Sequence, residues 1–313
     1  MSKPSLHTEV YEAIAPEKLK GKNQNKVAVV TGAARGIGQA IAEALAKTGA
    51  NLAILDFDVE RQAETVEQCQ SHGVKVVPYA CDITNEEAIE SVFSQIKSEF
   101  GSVDILVNNA GRNFRRPMAM ETFQQYWKGI EVNLKGAMCC IFQVLPSMRE
   151  RRQGCIINIA SRGGTISMPF AGAYSTAKAG LIRATACLQA ELAVDGFGTD
   201  IHLYALHPGA VKTSMTLPVD QDVAEKYPAM AAKWKSFHGL FKVQPAVCGQ
   251  TCAFLSTGQG KALAGKYFDC EQDITPVIGA GVEGLSDLYE LKVDFLGGLP
   301  NDGGTALAVI EQK

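Results

Sequence analysis

The chain is poor in several features, and each shortage removes a class of function. Positive charge is not in surplus. Across 313 residues, 30 Lys and Arg stand against 33 Asp and Glu, for a net charge of −3. With a pI near 6.0, no basic surface for nucleic acid is expected. No apolar run approaches the roughly eighteen residues of a membrane span. Met1 to Lys26 is polar and charged and lacks the apolar segment of a signal peptide. Histidine is scarce, at five. The nine cysteines are an odd number without zinc-ligand spacing, since Cys139 and Cys140 are adjacent and Cys248 and Cys252 lie one helical turn apart. Reduced thiols in the cytoplasm, and no metal site, are the expectation. No Pro-rich, Ser-rich or repetitive stretch marks a linker.

A hydrophobic content of 46% suits one large α/β core or two small ones. Strand-like runs near 26–31, 51–56, 74–80, 103–108, 155–160, 200–206 and 266–270 alternate with helical patterns. The helices read as 37–48, 59–71, 85–100, 120–150, 173–195 and 245–256. Such alternation predicts an α/β fold with a doubly wound parallel sheet, a Rossmann fold with helices on both faces. Ligand then belongs beyond the carboxyl ends of the strands.

The motifs cluster at those ends. Lys26 to Val30 is a β-branched run that leads into Thr31-Gly32-Ala33-Ala34-Arg35-Gly36-Ile37-Gly38 and an Ala-rich helix. Strand, glycine turn and helix start, in that order, form a dinucleotide fingerprint. Gly32 permits the turn, Gly36 lets a pyrophosphate approach, and Gly38 lets helix pack on strand. The helix N-terminus offers amides to the phosphates. A second strand delivers Asp56, placed to accept from both hydroxyls of an adenosine ribose. Further on, Tyr174 and Lys178 are four apart and share a helix face, with Ser161 thirteen residues before the tyrosine. A free phenol titrates near 10, and a neighbouring cation favours its ionised form.

These residues together resemble the short-chain dehydrogenase/reductase family, in its compact single-domain branch. The T-G-x-x-x-G-x-G motif is Thr31 to Gly38, and the N-N-A-G motif is Asn108, Asn109, Ala110 and Gly111. The resemblance assigns the adenine-contacting acid to Asp82 and catalytic roles to Asn133, Ser161, Tyr174 and Lys178. It assigns the nicotinamide-lining P-G-x-V-x-T stretch to Pro208, Gly209, Val211 and Thr213, with Ala210 and Lys212 between. Cofactor contacts are expected from Gly32, Arg35, Gly36, Ile37, Gly38, Asp56, Asp82, Asn109, Ala110, Gly111, Tyr174, Lys178, Pro208, Gly209, Val211 and Thr213.

The implied activity is hydride transfer between NAD(H) and a secondary alcohol or ketone. Tyr174 is then the acid/base, Lys178 lowers its pKa and holds the nicotinamide ribose, Ser161 holds the substrate oxygen, and Asn133 supports a water link to Lys178. A non-redox isomerase or cyclase and a cofactor-bound scaffold stay open as alternatives. NAD is favoured over NADP because Phe57, not a basic residue, follows Asp56. Arg35, inside the glycine turn, could meet a 2′-phosphate, although many family members carry it without that use. His207 reads as a structural hydrogen-bonding residue, and Arg149, Arg151 and Arg152 as solvated cations at a helix C-terminus.

The expected organisation is an N-terminal extension (1–25), a dehydrogenase domain (26–271) and a C-terminal tail (272–313). Residues 214–241, with Met215, Leu217, Tyr227, Met230, Trp234, Phe237, Leu240 and Phe241, are expected to form a lid over a mid-sized apolar or aromatic substrate. Phe268-Asp269-Cys270-Glu271 replaces the family's D-G-G close. The tail, with Val277, Ile278, Leu285, Phe295 and Leu299, is expected to pack against the body or a neighbouring subunit. The resemblance also implies a homodimer or homotetramer built on the helices at 130–148 and 177–192.

Overall fold

The computed structural model describes residues 6–213, 215 and 219–293. Leu217, Phe295 and Leu299, named above for the lid and tail, lie outside the described residues. Seven strands form one sheet: β1 (Val27–Thr31), β2 (Asn51–Asp56), β3 (Val76–Ala80), β4 (Ile105–Asn108), β5 (Gly154–Ile159), β6 (Ile201–His207) and β7 (Tyr267–Asp269). Their order is β3-β2-β1-β4-β5-β6-β7, and every neighbouring pair is parallel. Each lies where the β-branched runs predict it. The order reverses between β1 and β4, so a crevice opens at their carboxyl ends.

A parallel sheet is covered on both faces, and the strand residues alternate accordingly. On β1, Ala28 and Val30 face one core and Val29 the other. Helices α1 (Pro16–Leu19), α2 (Gly36–Lys47), α3 (Ala63–Gln70), α4 (Glu86–Phe100), α5 (Phe123–Ile130) and α6 (Gly136–Arg151) come in the first half of the chain. In the second are α7 (Gly172–Val194), α8 (Gln221–Lys226), α9 (Pro228–His238), α10 (Pro245–Ser256), α11 (Ile274–Gly279) and α12 (Gly281–Gly284). Ile41 and Leu45 of α2 pack with Val247 and Phe254 of α10 on one face. Ile89 and Ile96 of α4 pack with Ile141 and Val144 of α6 on the other. Among the described residues, no helix is long and apolar enough to cross a membrane. All nine cysteines are free.

The single helix expected over 120–150 is in fact broken. Thr122 caps α5 through a reciprocal capping box with Gln125. A π-helical segment, Glu131–Lys135, then separates α5 from α6 and carries Asn133. Such segments are rare inside α-helices and gather at functional sites. Amphipathic spacing cannot reveal one, because the apolar stripe continues across it.

The arginines that end α6 do more than cap it in solvent, contrary to the sequence reading. Arg149 pairs with Asp195 at 2.7 Å, Arg151 with Asp104 at 2.7 Å and Arg152 with Asp200 at 2.6 Å. Their partners come from other elements and are not visible in the local sequence.

The chain ends clasp each other. The expected extension is built into the body: Ile14 and Leu19 are fully buried in the core beside α2 and α10. Leu6 bridges Gln272 in antiparallel fashion, and the His7 amide donates to the Glu271 carbonyl at 2.6 Å. Tyr11 donates to the Gln272 carbonyl at 3.2 Å and accepts from the Ile274 amide at 3.1 Å. Ile274, Val277 and Leu285 of the tail are buried in the same core. Burial of each such side chain is worth about 1.5–3 kcal/mol.

Candidate active site

Thr31 ends β1 and fixes the loop opposite. Its hydroxyl accepts from the amides of Asn109 at 3.1 Å and Ala110 at 3.0 Å. The Asn109 side chain donates back to the carbonyls of Thr31 and Gly32, both at 3.0 Å. These bonds lock the glycine turn to the end of β4. Gly38 completes the fit, because a Cβ there would run into the Gly32 carbonyl oxygen and lie 2.6 Å from Asn109 Nδ2. Sequence reading placed Thr31 in the motif but gave it no role.

The start of α2 carries no side-chain cap. Gly36, at φ +61°, has Thr213 Cγ2 as its nearest outside neighbour, 3.9 Å from where a Cβ would stand. First-turn amides without a cap, facing open space, suit a diphosphate. Arg35 precedes them and is exposed, while Ile37 packs partly on the core. Asp56 ends β2 with its two carboxylate oxygens accepting from the amides of Ala34 at 3.1 Å and Phe57 at 2.9 Å. It therefore braces the glycine turn as well as facing the crevice. Burial would raise the pKa of Asp82, but bonds from the Thr84 amide and hydroxyl win and hold it below its ordinary value.

Beyond β4 the second cluster begins. Asn133 is buried, accepts from the Arg112 amide at 3.2 Å, and donates to the carbonyls of Arg112 at 2.6 Å and Gly129 at 2.9 Å. A Cβ on Gly111 would lie 2.7 Å from Asn133 Oδ1 and 3.7 Å from Lys178 Nζ. Lys178, only 3% exposed, donates to the Ile159 carbonyl at 2.7 Å. Burial lowers its pKa to about 8. Its ammonium lies 5.7 Å from the centre of the Tyr174 ring. Burial raises the phenol's pKa, while a hydrogen bond from Ser161 and the charge of Arg115 pull it down. Arg115 thus acts on Tyr174 alongside the Lys178 expected from spacing. Lys178 spends one of its three donors on the end of β5 and keeps two for other partners.

Arg115 escaped sequence reading. It stands in an arginine-rich stretch, Arg112 to Arg116, that reads as ordinary surface charge. It is 7% exposed and adopts φ +49°, a left-handed conformation that costs a bulky residue about 1–2 kcal/mol. Its guanidinium lies 4.9 Å over the Trp234 ring and donates to the Met215 carbonyl. Next to it, Arg116 pairs with Asp220 at 3.0 Å and with Asp222. Phe170, also left-handed at φ +64°, meets Tyr227 edge-on at 5.1 Å. These contacts bring α8 and α9 over the site. A groove of about 690 Å³ runs between α9 and the segment at 166–169, lined by Ile166, Met168, Pro169, Met230, Trp234 and Phe237. Met168 connects the groove to the chemistry. From where a Cβ on Gly163 would stand, Met168 Cε is 2.8 Å away, the Tyr174 ring 3.3 Å and Ser161 Oγ 3.4 Å.

The loop after Ser161 is anchored by ions. Arg162 bonds Asp269 at 2.8 Å and pairs with Glu271. The Arg162 amide donates to His207 Nδ1 at 3.3 Å, and burial lowers that imidazole to about 4. His207 therefore has the hydrogen-bonding role expected of it. His207, Asp269 and Glu271 offer atoms within 4.8 Å of one another, but the guanidinium already occupies both carboxylates. Glu271 also packs beside Gly209, so β7 supports the Pro208 to Thr213 loop, in which Val211 is buried and bridges Val243. The sequence showed the departure from D-G-G but not what it holds.

Thr31 and Asp56 end β1 and β2, and Asn109, Ser161 and Pro208 follow β4, β5 and β6, all on the carboxyl side of the parallel sheet. Residues 26–224 match the family description "short chain dehydrogenase". The chain belongs to the short-chain dehydrogenase/reductase family. It is 33% identical over 297 residues to a short chain dehydrogenase of Pseudocercospora fijiensis, spanning 91% of this chain and 95% of that one. A 3-oxoacyl-[acyl-carrier-protein] reductase of Staphylococcus epidermidis is 36% identical over 204 residues, 64% of this chain and 82% of its own. Among solved structures, a candidate short-chain alcohol dehydrogenase from Sinorhizobium meliloti 1021 superposes with a TM-score of 0.69 at 30% identity, over 79% of this chain and 95% of its own. The dehydrogenase is accordingly an oxidoreductase of a family that uses a nicotinamide cofactor.

Proposed function

We propose that this short-chain dehydrogenase interconverts a secondary alcohol and a ketone with NAD(H), on a mid-sized apolar or aromatic substrate. The convergence of Ser161 Oγ, the Tyr174 ring and Met168 of the apolar groove on Gly163 carries the reading. Bound at the crevice, the dinucleotide supplies the acceptor or donor of a hydride. The chain's own residues do the rest. In the oxidation direction Tyr174 takes the hydroxyl proton, and Ser161 holds the same oxygen by a hydrogen bond. Asn133 braces the Gly111–Arg112 backbone beside Lys178, whose ammonium is positioned for the ribose and the phenol. The uncapped turn Gly36-Ile37-Gly38 binds the diphosphate, Asp56 the adenosine ribose and Asp82 the adenine. Met230, Trp234 and Phe237 exclude water from the reacting carbon.

Exposed Phe142 on α6 supports a homodimer or homotetramer built on α6 and α7. The test is absorbance at the nicotinamide band with NAD or NADH and a panel of secondary alcohols and ketones graded in size. Turnover should favour apolar or aromatic substrates that fill the groove. No substrate-dependent change with any member would overturn the reading.

A further inference from the structure

We infer that Arg115 is a positioning residue that couples the lid to proton transfer, its guanidinium holding a positive charge beside Tyr174 while α9 holds the guanidinium. The inference rests on the proposed role of Tyr174 as acid/base.

Three observations carry it. Arg115 and Tyr174 line the same small cavity, together with their chain neighbours Phe114 and Ala173. The guanidinium is nearly buried and reaches the lid, over the face of Trp234 at 4.9 Å and to the Met215 carbonyl. The backbone is bent into φ +49° to place it there, and its amide is satisfied by Asn113 Oδ1 at 3.2 Å. A side chain that only packed would need neither the strain nor the charge.

The ionisable groups that act on or face Tyr174 are Arg115 from the loop after β4, Lys178 from its own helix and Tyr267 from β7. Of the two cations, Lys178 is pushed down to about 8 by burial and can lose its charge as the medium becomes alkaline. Burial lowers Arg115 as well, but from so high an ordinary value that the guanidinium keeps its charge. Arg115 is thus the cation that persists where the phenol must ionise. Because α9 contributes Trp234 to the groove, displacement of the lid would loosen the charge beside the phenol, and a substrate that seats the lid would secure it.

The experiment is the pH profile of kcat/KM for alcohol oxidation with wild type, Arg115→Met, Arg115→Lys and Trp234→Ala, with Tyr174→Phe as control. Removing an adjacent opposite charge moves such a group by about 1–3 pH units. Arg115→Met should therefore shift the rising limb upward by about one unit, and Arg115→Lys should restore most of it. Trp234→Ala should shift it the same way by less, and it keeps the test open if Arg115→Met does not fold. The same shift is expected in the tyrosinate absorbance titration, taken as Arg115→Met minus the Arg115→Met/Tyr174→Phe double variant. A rising limb that stays at the wild-type pH in both Arg115→Met and Trp234→Ala, with only a lower plateau, would overturn the inference and leave Arg115 as packing. Activity retained by Tyr174→Phe would instead remove the acid/base reading on which it rests.

Discussion

The two halves of the crevice are built by different means. On the nucleotide side, short motifs act on backbone close at hand. Asp56 braces Ala34, Thr31 clamps Asn109 and Ala110 at the adjoining strand end, and Gly38 gives way to the Gly32 carbonyl. On the substrate side, charged and aromatic side chains far apart in the chain hold one another. Arg116 and Asp222 are separated by 106 residues, and Arg162 and Glu271 by 109. The first design is rigid and tolerates little change of shape. The second lets loops vary over a fixed sheet, which is how one fold serves many substrates.

The largest effect expected from this division is on Tyr174. Tyr174→Phe removes one hydroxyl on the substrate side and touches nothing that holds the nucleotide. Turnover should fall roughly 10²–10⁴-fold, the range for positioned acid/base catalysis. Dinucleotide affinity, measured by fluorescence titration, should stay within about twofold of wild type. A parallel loss of affinity would mean that the two halves are not separable.

That contrast also explains what the sequence discloses. All seven strands and most helices follow from periodicity, and Gly32, Asp56, Asn109, Ser161, Tyr174 and Lys178 stand out as candidates because family motifs are local strings. Arg115 was not, since its meaning depends on Trp234 more than a hundred residues away. The π-helical turn at Asn133 was hidden because it keeps the apolar stripe. The inward ends were half legible. The tail's apolar residues suggested packing, whereas Ile14 and Leu19 stand in a segment that reads as polar and are completely buried.

Those ends give the next prediction, because they support the substrate side through β7. Ile14 is fully buried, and its segment ties to Gln272 and Ile274, just beyond the Asp269 and Glu271 that hold Arg162. Ile14→Ala should destabilise the fold by about 2–5 kcal/mol, as large-to-small core changes do. Denaturant unfolding measures it. A loss under about 0.5 kcal/mol would return residues 6–25 to the status of an appendage, with the sheet carrying the fold alone.

The smallest effect concerns the choice between cofactors, and it probes the nucleotide side. Asp56 is fixed by the Ala34 and Phe57 amides, and its oxygens keep lone pairs for ribose hydroxyls. A 2′-phosphate would remove one of those hydroxyls and set like charge beside the carboxylate. Two unit charges about 4 Å apart interact by roughly 4 kcal/mol at an effective dielectric of 20. Asp56 lies at the crevice rim, so solvent screens much of this, and exposed Arg35 offsets more. A surviving ~1.4 kcal/mol is still a tenfold preference for NAD in kcat/KM. Asp56→Ala should erase that preference and, by freeing the Ala34 amide, weaken both cofactors. An equal or reversed preference in the wild type would make Arg35 a phosphate ligand. A preference unchanged in Asp56→Ala would leave NAD as the cofactor and move its cause from the carboxylate to the shape of the pocket at Phe57.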